Sequence, residues 1–261
     1  MRLDKEAYLF HIKDINEQAV IRKVLDKIEI SISNHSLEMT DFLDPYERYL
    51  ALSILNRFDD LSYTEFGGIE NGERKIITIY PYYYDSSLIV PKLRYFRIHG
   101  DIDSLSHKDF LGGLLGIGIN RSKVGDIQVH NTYADITIKA ELGDFVLFNL
   151  KKIGCKNMSI TEIELEDLKE PVLRFKEIKK FVTSLRLDVL LSAAYNFSRQ
   201  ESINIIKTGK VKINWQKITK PSKELALGDT ISTKGFGRII LYSNGGMSKK
   251  GRYLVTIRIL T

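Results

Sequence analysis

The chain has 261 residues, 43% of them hydrophobic, with 39 Lys and Arg against 33 Asp and Glu and a single cysteine, Cys155. That length suits two or three domains, and one cysteine excludes an internal disulfide or a cysteine-cluster zinc site. No apolar run reaches the roughly 18 residues that span a bilayer, and charges interrupt MRLDKEAYLFHIKD too often for a signal peptide, so a cytoplasmic protein is expected.

The net charge of +6 is unevenly spread. Residues 181–261 hold 14 Lys and Arg against 4 Asp and Glu, whereas residues 1–180 hold 25 against 29. A small basic unit behind a mildly acidic body is the footprint of a surface that meets nucleic-acid phosphates. A surface made basic for solubility is the plainer alternative.

Along the chain, residues 2–28 read as a helix, with apolar residues at helical spacing from Leu3 to Ile28. A second helix is expected in DFLDPYERYLALSILNRF, where Asp44 can cap and Pro45 fits the first turn. Together they make a helical N-terminal unit over residues 1–60. Strands and helices then mix from 61 to 180. SYTEFGGI and RKIITIYPYY flank Asn71-Gly72, a hairpin signal. KLRYFRIHG reads as a strand, SHKDFLGGLLGIGI as a helix that Ser106 can cap, and DIQVH and YADITIKA as strands. ELGDFVLFNLKKIG reads as an amphipathic helix ended by Gly154. MSITEIEL and VLRFKEIKKFV complete an α+β domain, for which a ferredoxin-like (RRM-like) arrangement is expected. In IYPYYYDSS, alternation puts Tyr82 and Tyr84 on one side and Tyr83 on the other, so at least half of the tyrosines are expected in core or strand edge.

Residues 181–261 form the basic unit. Ser184 is placed to cap a helix with Leu187, Leu190, Leu191 and Ala194 on one stripe. SRQE, residues 198–201, has the form of a capping box. Gln200, Asn204 and Lys207 share one side of that second helix, Gly209 ends it, and KVKIN begins a hairpin. Arg199 stands at the helix N-terminus, where free N–H groups favour phosphate. The turn reads Asn214-Trp215 where Asn-Gly is usual, although a Trp at positive φ costs on the order of 1–2 kcal/mol.

This segment resembles the S4 RNA-binding domain. The residues that carry the likeness are Arg186-Leu187-Asp188, Leu191, Ser198-Arg199, Ile206, Gly209-Lys210-Val211, Ile213-Asn214, LGDTIS and KGFGRI. The resemblance implies RNA contacts by Arg186, Arg199, Gln200, Lys207, Lys210, Lys212, Asn214, Trp215 and Lys217. Two alternatives stand: Arg186 pairs mainly with Asp188, and Asn214 only makes the turn. Asn-Trp departs from the general S4 pattern and is similar to the YlmH-like subfamily. FLDPYER, HKDFLGGLLGIGINRSKVGDI and the C-terminal place of the S4 unit extend that likeness over most of the chain. It implies rRNA of the large ribosomal subunit as partner, tRNA as a further one, and a role on stalled subunits that hold peptidyl-tRNA. Trp215 then has two readings, a platform for an unpaired base or a ring folded onto its own module.

Enzyme classes fit poorly. RLD at 186–188 lacks the Thr-Gly continuation of pseudouridine synthases, and GGLLGIGIN lacks the G-x-G-x-x-G spacing of a cofactor turn. His99, His107 and His130 have no neighbouring metal-ligand pattern, and Cys155 has no basic partner in sequence. No catalytic residue, cofactor or metal is therefore expected, nor a membrane partner, and a monomer is expected because no exposed apolar seam stands out. NRSKVGDI, residues 120–127, has three readings: a surface turn, a second RNA contact by Arg121 and Lys123, or a catalytic loop with Asp126 as base. A cell-division-linked protein-interaction role and an RNA-modifying enzyme are the alternatives to ribosomal RNA binding.

Overall fold

A computed structural model describes residues 3–170, 174–248 and 251–260. The chain divides into two compact units, Met1–Pro171 and Val172–Thr261. In the first, α1 (Lys5–Leu9) and α2 (Ile15–Asn34) replace the single helix expected over 2–28, of which Arg2 lies outside the described residues. The break falls before Asp14, whose carboxylate accepts the Asn16 N–H at 2.9 Å and so caps α2. After β1 (Glu38–Met39) comes α3 (Pro45–Leu55), which starts as its sequence requires. Asp44 accepts from Tyr46 and Glu47 N–H, while Glu47 reaches back to the Asp44 N–H at 2.8 Å.

β2 (Leu61–Phe66) and β3 (Ile76–Pro81) pair antiparallel, and β1 takes the other edge of β3. Asn71-Gly72 lies within the long connection 67–75 rather than forming a two-residue turn. Ile77 and Ile79 of β3 pack with Ile21, Leu25 and Ile28 of α2 and Ile54 of α3. Residues 61–81 thus complete the N-terminal core instead of opening the middle domain. Beyond Pro81 the strand has ended, so alternation no longer applies. Tyr80 is buried while Tyr82, Tyr83 and Tyr84 are all exposed.

The middle of the chain runs β4 (Leu93–Gly100), α4 (His107–Gly116), β5 (Val124–Val129), β6 (Tyr133–Lys139), α5 (Gly143–Asn149), β7 (Lys152–Ile153) and β8 (Lys156–Ile163). Its sheet order is β5-β6-β4-β8-β7. Without the short β7 this is the expected ferredoxin-like β-α-β-β-α-β arrangement, with β4 and β6 central. Phe96, Ile98, Ile136 and Ile138 of those strands meet Phe110 and Leu114 of α4 and Val146 of α5. Gly154, at φ 60°, makes the β7–β8 turn and does not end α5, which stops five residues earlier so that Ile153 can enter the core.

The second unit holds β9 (Phe175–Val182), α6 (Leu187–Tyr195), α7 (Arg199–Lys207), β10 (Val211–Ile213), β11 (Gln216–Ile218), β12 (Thr230–Thr233), β13 (Gly237–Met247) and β14 (Tyr253–Leu260). They build an antiparallel sheet in the order β11-β10-β12-β13-β14-β9. VLRFKEIKKFV, expected to close the middle domain, instead pairs with β14 from Phe175↔Leu260 to Val182↔Tyr253; its Val172 and Leu173 lie outside the described residues. The domain boundary therefore falls about ten residues earlier than position 181. Leu187, Leu190, Leu191 and Ile206 of the two helices cover one sheet face, against Val211, Ile231, Ile239 and Ile257. Among the described residues, no helix is long and apolar enough to cross a membrane.

Candidate nucleic-acid interface

Two helix starts converge on one buried carboxylate. α6 is entered through Arg186, not capped by Ser184. Arg186 donates to Asp188 Oδ1 at 3.0 Å and Oδ2 at 2.8 Å, a pairing that leaves about a third of its side chain exposed at the rim. Asp188 is fully buried, and its N–H donates to the Pro221 carbonyl. Arg199, the first residue of α7, brings Nε to 4.0 Å from the same carboxylate with 73% of its side chain exposed. Ser198 caps α7 by accepting the Glu201 N–H. Asp188 thus gathers two guanidinium groups at one rim, a positioning role that the sequence hinted at only through its place in Arg-Leu-Asp.

Past α7 the cations continue. Gln200 donates to Asn204 on the exposed side of the helix, and Lys207 ends it, exposed. Gly209 sits at φ 68°, where a side chain is strained, and a Cβ there would lie 2.5 Å from Lys217 Cε. The glycine therefore both turns the chain and gives Lys217 room to lie across it. Lys210 and Lys212 are exposed, and Lys212 faces Lys217 across the hairpin and Ser232 on its other side. Ser232 in turn faces Arg238. Residues opposite one another share a face, so Lys217, Lys212 and Arg238 form one row. Arg238 carries no local sign of this role, because nothing in its sequence says that β13 sits two strands from β10.

At the hairpin tip Asn214 and Trp215 both take positive φ, 46° and 67°, as a type I′ turn demands. The Asn214 side chain is fixed at both ends, donating to Asp229 Oδ1 at 2.7 Å and accepting the Thr230 N–H at 2.9 Å. It is a turn-making residue, exposed at the hairpin tip, whose carboxamide bonds to Asp229 and Thr230. Trp215 is half-buried, with the Arg238 guanidinium 5.2 Å from its ring centroid. The indole is held back against its own module by a cation–π contact worth about 0.5–1 kcal/mol. Trp215→Gly removes that contact and the strain of positive φ together, so stability should change by less than about 1 kcal/mol. If the remaining indole surface also stacks on a base, RNA affinity falls roughly 5- to 100-fold in Trp215→Gly and much less in Trp215→Phe. Equal RNA binding by the two folded variants would dispose of the stacking role.

Of the three readings of residues 120–127, the geometry favours a structural turn, because Arg121 and Lys123 are both engaged within the protein. Arg121 Nη1 donates to the Val124 and Gly125 carbonyls at 2.6 and 3.1 Å, and burial, with Arg74 close by, pulls its pKa down to about 10. Arg74 reaches the same Val124 carbonyl and that of Phe42. Lys123 bridges Asp41 and Glu141, both at 2.8 Å. Asp126, the candidate base, accepts the Arg74 N–H, and burial raises its pKa. These side chains tie Asp41, Phe42 and Arg74 to the segment 121–126 and to Glu141. Lys123→Glu should cost on the order of 1 kcal/mol of stability and leave RNA affinity unchanged, which melting curves and RNA titration check side by side.

On the middle sheet, His130 stacks on Tyr133 at 4.4 Å and the Arg97 guanidinium lies 4.1 Å from the centroid of the same ring. Arg97 is held in turn by the buried Asp135 at 2.8 and 2.9 Å. Among the described residues, no group of three or more His, Cys, Asp or Glu side chains is placed to hold a metal ion.

Comparison with known proteins matches three profiles in succession: "YlmH, N-terminal" over residues 16–84, "Putative RNA-binding domain in YlmH" over 93–167 and "S4 domain" over 185–231. The chain is 34% identical over 243 residues to the ribosome-associated protein quality control protein P2 of Bacillus subtilis (strain 168), covering 92% of this chain and 94% of that protein. A solved structure, the cell division protein ylmH from Streptococcus pneumoniae, superposes with a TM-score of 0.51 at 22% identity, covering 60% of this chain and 97% of that one, and shows the likeness of fold. With a converging set of cations on an S4 framework and matches that run from residue 16 to 231, the chain belongs to the YlmH family of S4-domain RNA-binding proteins.

Proposed function

We propose that this protein binds rRNA of the large ribosomal subunit through the surface formed by α6, α7 and the β10–β11 hairpin. It acts there on stalled subunits that still hold peptidyl-tRNA, by binding rather than by catalysis. The observation that carries this reading is the cationic rim: Arg186 and Arg199 gathered by Asp188, followed by Lys207, Lys210, Lys212 and Lys217. The name of the Bacillus relative, a ribosome-associated quality control protein, supports the choice of ribosome and process. The name of the Streptococcus protein supports the alternative, a protein-interaction role linked to cell division.

Salt separates the two. Each phosphate contact releases counterions, so binding through about five of these six cations should give a slope of about −4.5 in a plot of log K against log salt. Co-sedimentation with purified large subunits over a range of salt is expected to show that steep loss. Binding that is indifferent to salt would point to an apolar protein partner instead.

A further inference from the structure

The sheet of the second unit has a face that neither α6 nor α7 covers. Register defines it. The row Lys217–Lys212–Ser232–Arg238 is followed by the row Thr230–Ile240–Arg258–Glu177, which carries the face through β14 to β9. Side chains two residues apart share a face, so Phe175, Lys179 and Phe181 of β9 belong to it. Tyr242 falls at a register shift between Leu241 and Ser243, where no residue of β14 opposes it, and its ring meets Arg258. A bulge of this kind re-aims a side chain out of the regular ladder.

The chemistry of that face is mixed in a particular way. Among its described strand residues, five cations stand against one carboxylate, Glu177, which Arg258 already holds at 2.8 Å. The cations alternate with rings. Arg258 lies 3.2 Å from the Tyr242 centroid and 5.1 Å from that of Phe175, and Arg238 lies over Trp215. Phe175, Tyr242 and Phe181 remain 39, 49 and 59% exposed. An apolar protein partner would have to desolvate several guanidinium and ammonium groups. A paired helix would offer phosphates but hide its bases from the rings. A strand of unpaired nucleotides satisfies both, with phosphates near the cations and bases on the aromatic faces.

We propose that this helix-free sheet face is a second RNA surface, one that takes a single-stranded, unpaired stretch of RNA running from the hairpin tip toward β9. Arg238, Tyr242, Arg258 and the β9 residues all lie outside the stretch matched as an S4 domain. Six strands span about 24 Å, in keeping with a site of four or more nucleotides. The inference rests on the reading of the second unit as an RNA binder; Lys212 and Lys217 of the hairpin are shared with that surface, and the rest of the face is assigned a different RNA class.

The test uses the full chain and two labelled probes, a U12 oligonucleotide and a fully paired RNA hairpin, followed by fluorescence anisotropy. Tyr242→Ala/Phe181→Ala should weaken U12 binding by about tenfold or more and leave the hairpin essentially unaffected. Lys179→Glu, a surface change on an edge strand, should also weaken U12 selectively and serves if the double variant folds poorly. Arg199→Glu/Lys210→Glu should show the reverse pattern. Unchanged U12 binding in folded face variants would overturn the proposal. So would a wild type that binds the hairpin but not U12, an outcome that leaves the function proposed above intact.

Discussion

Arg199→Glu/Lys210→Glu is expected to weaken binding to purified large ribosomal subunits by on the order of 10²-fold near 0.1 M salt. Each lost phosphate contact removes about 0.9 of a logarithmic unit per decade of salt, and two contacts give nearly two units. Arg199 is largely exposed at the start of α7, and Lys210 is exposed beyond the glycine that ends it, so neither change should disturb the core. The slope of log K against log salt should fall by about two in the same variant. Loss of binding without that change in slope would mean that the variant had misfolded or that the contact was not to phosphate. Circular dichroism distinguishes those two cases.

Asp188→Ala is expected to act on both stability and affinity. Removing one partner from a buried ion pair costs about 3–5 kcal/mol. Arg186 is about one-third exposed and can turn to water, so about 2 kcal/mol is the reasonable expectation here. Without the carboxylate, Arg186 and Arg199 lose their common anchor and must be ordered by the RNA itself, which should reduce affinity by roughly fivefold. Thermal unfolding and RNA titration of the same preparation measure the two effects. Wild-type affinity in Asp188→Ala would show that the two guanidinium groups need no positioning.

The parts of this protein that could be read from its sequence are those governed by near neighbours. Asp44-Pro45 and Ser198 declare helix starts through side chains that bond within three residues. Gly209 declares a turn, because only its own φ matters. Alternating apolar residues found the strands of the middle sheet. What stayed hidden depends on distant partners. β9 has the pattern of a strand but nothing in it names β14 as its neighbour, about eighty residues away, so the domain boundary before β9 is not legible in the sequence. β3 likewise joined a helical core that its own sequence does not mention. The candidate site followed the same rule. Arg199, Lys207, Lys210, Lys212 and Lys217 are exposed on the elements expected. Asn214, Arg121 and Lys123 make bonds within the protein, to Asp229, to backbone carbonyls and to Asp41 and Glu141. A polar residue in a loop signals a contact, but only the fold decides whether the contact is with the protein or with a ligand.

The most direct measurement is photo-crosslinking of the full chain to purified large ribosomal subunits, with the joined peptides and nucleotides identified by mass spectrometry. Crosslinks from rRNA to residues 186–217, lost in Arg199→Glu/Lys210→Glu, are the result expected. Crosslinks confined to ribosomal proteins, or rRNA crosslinks restricted to the first unit, would contradict the assignment of RNA binding to the surface formed by α6, α7 and the hairpin.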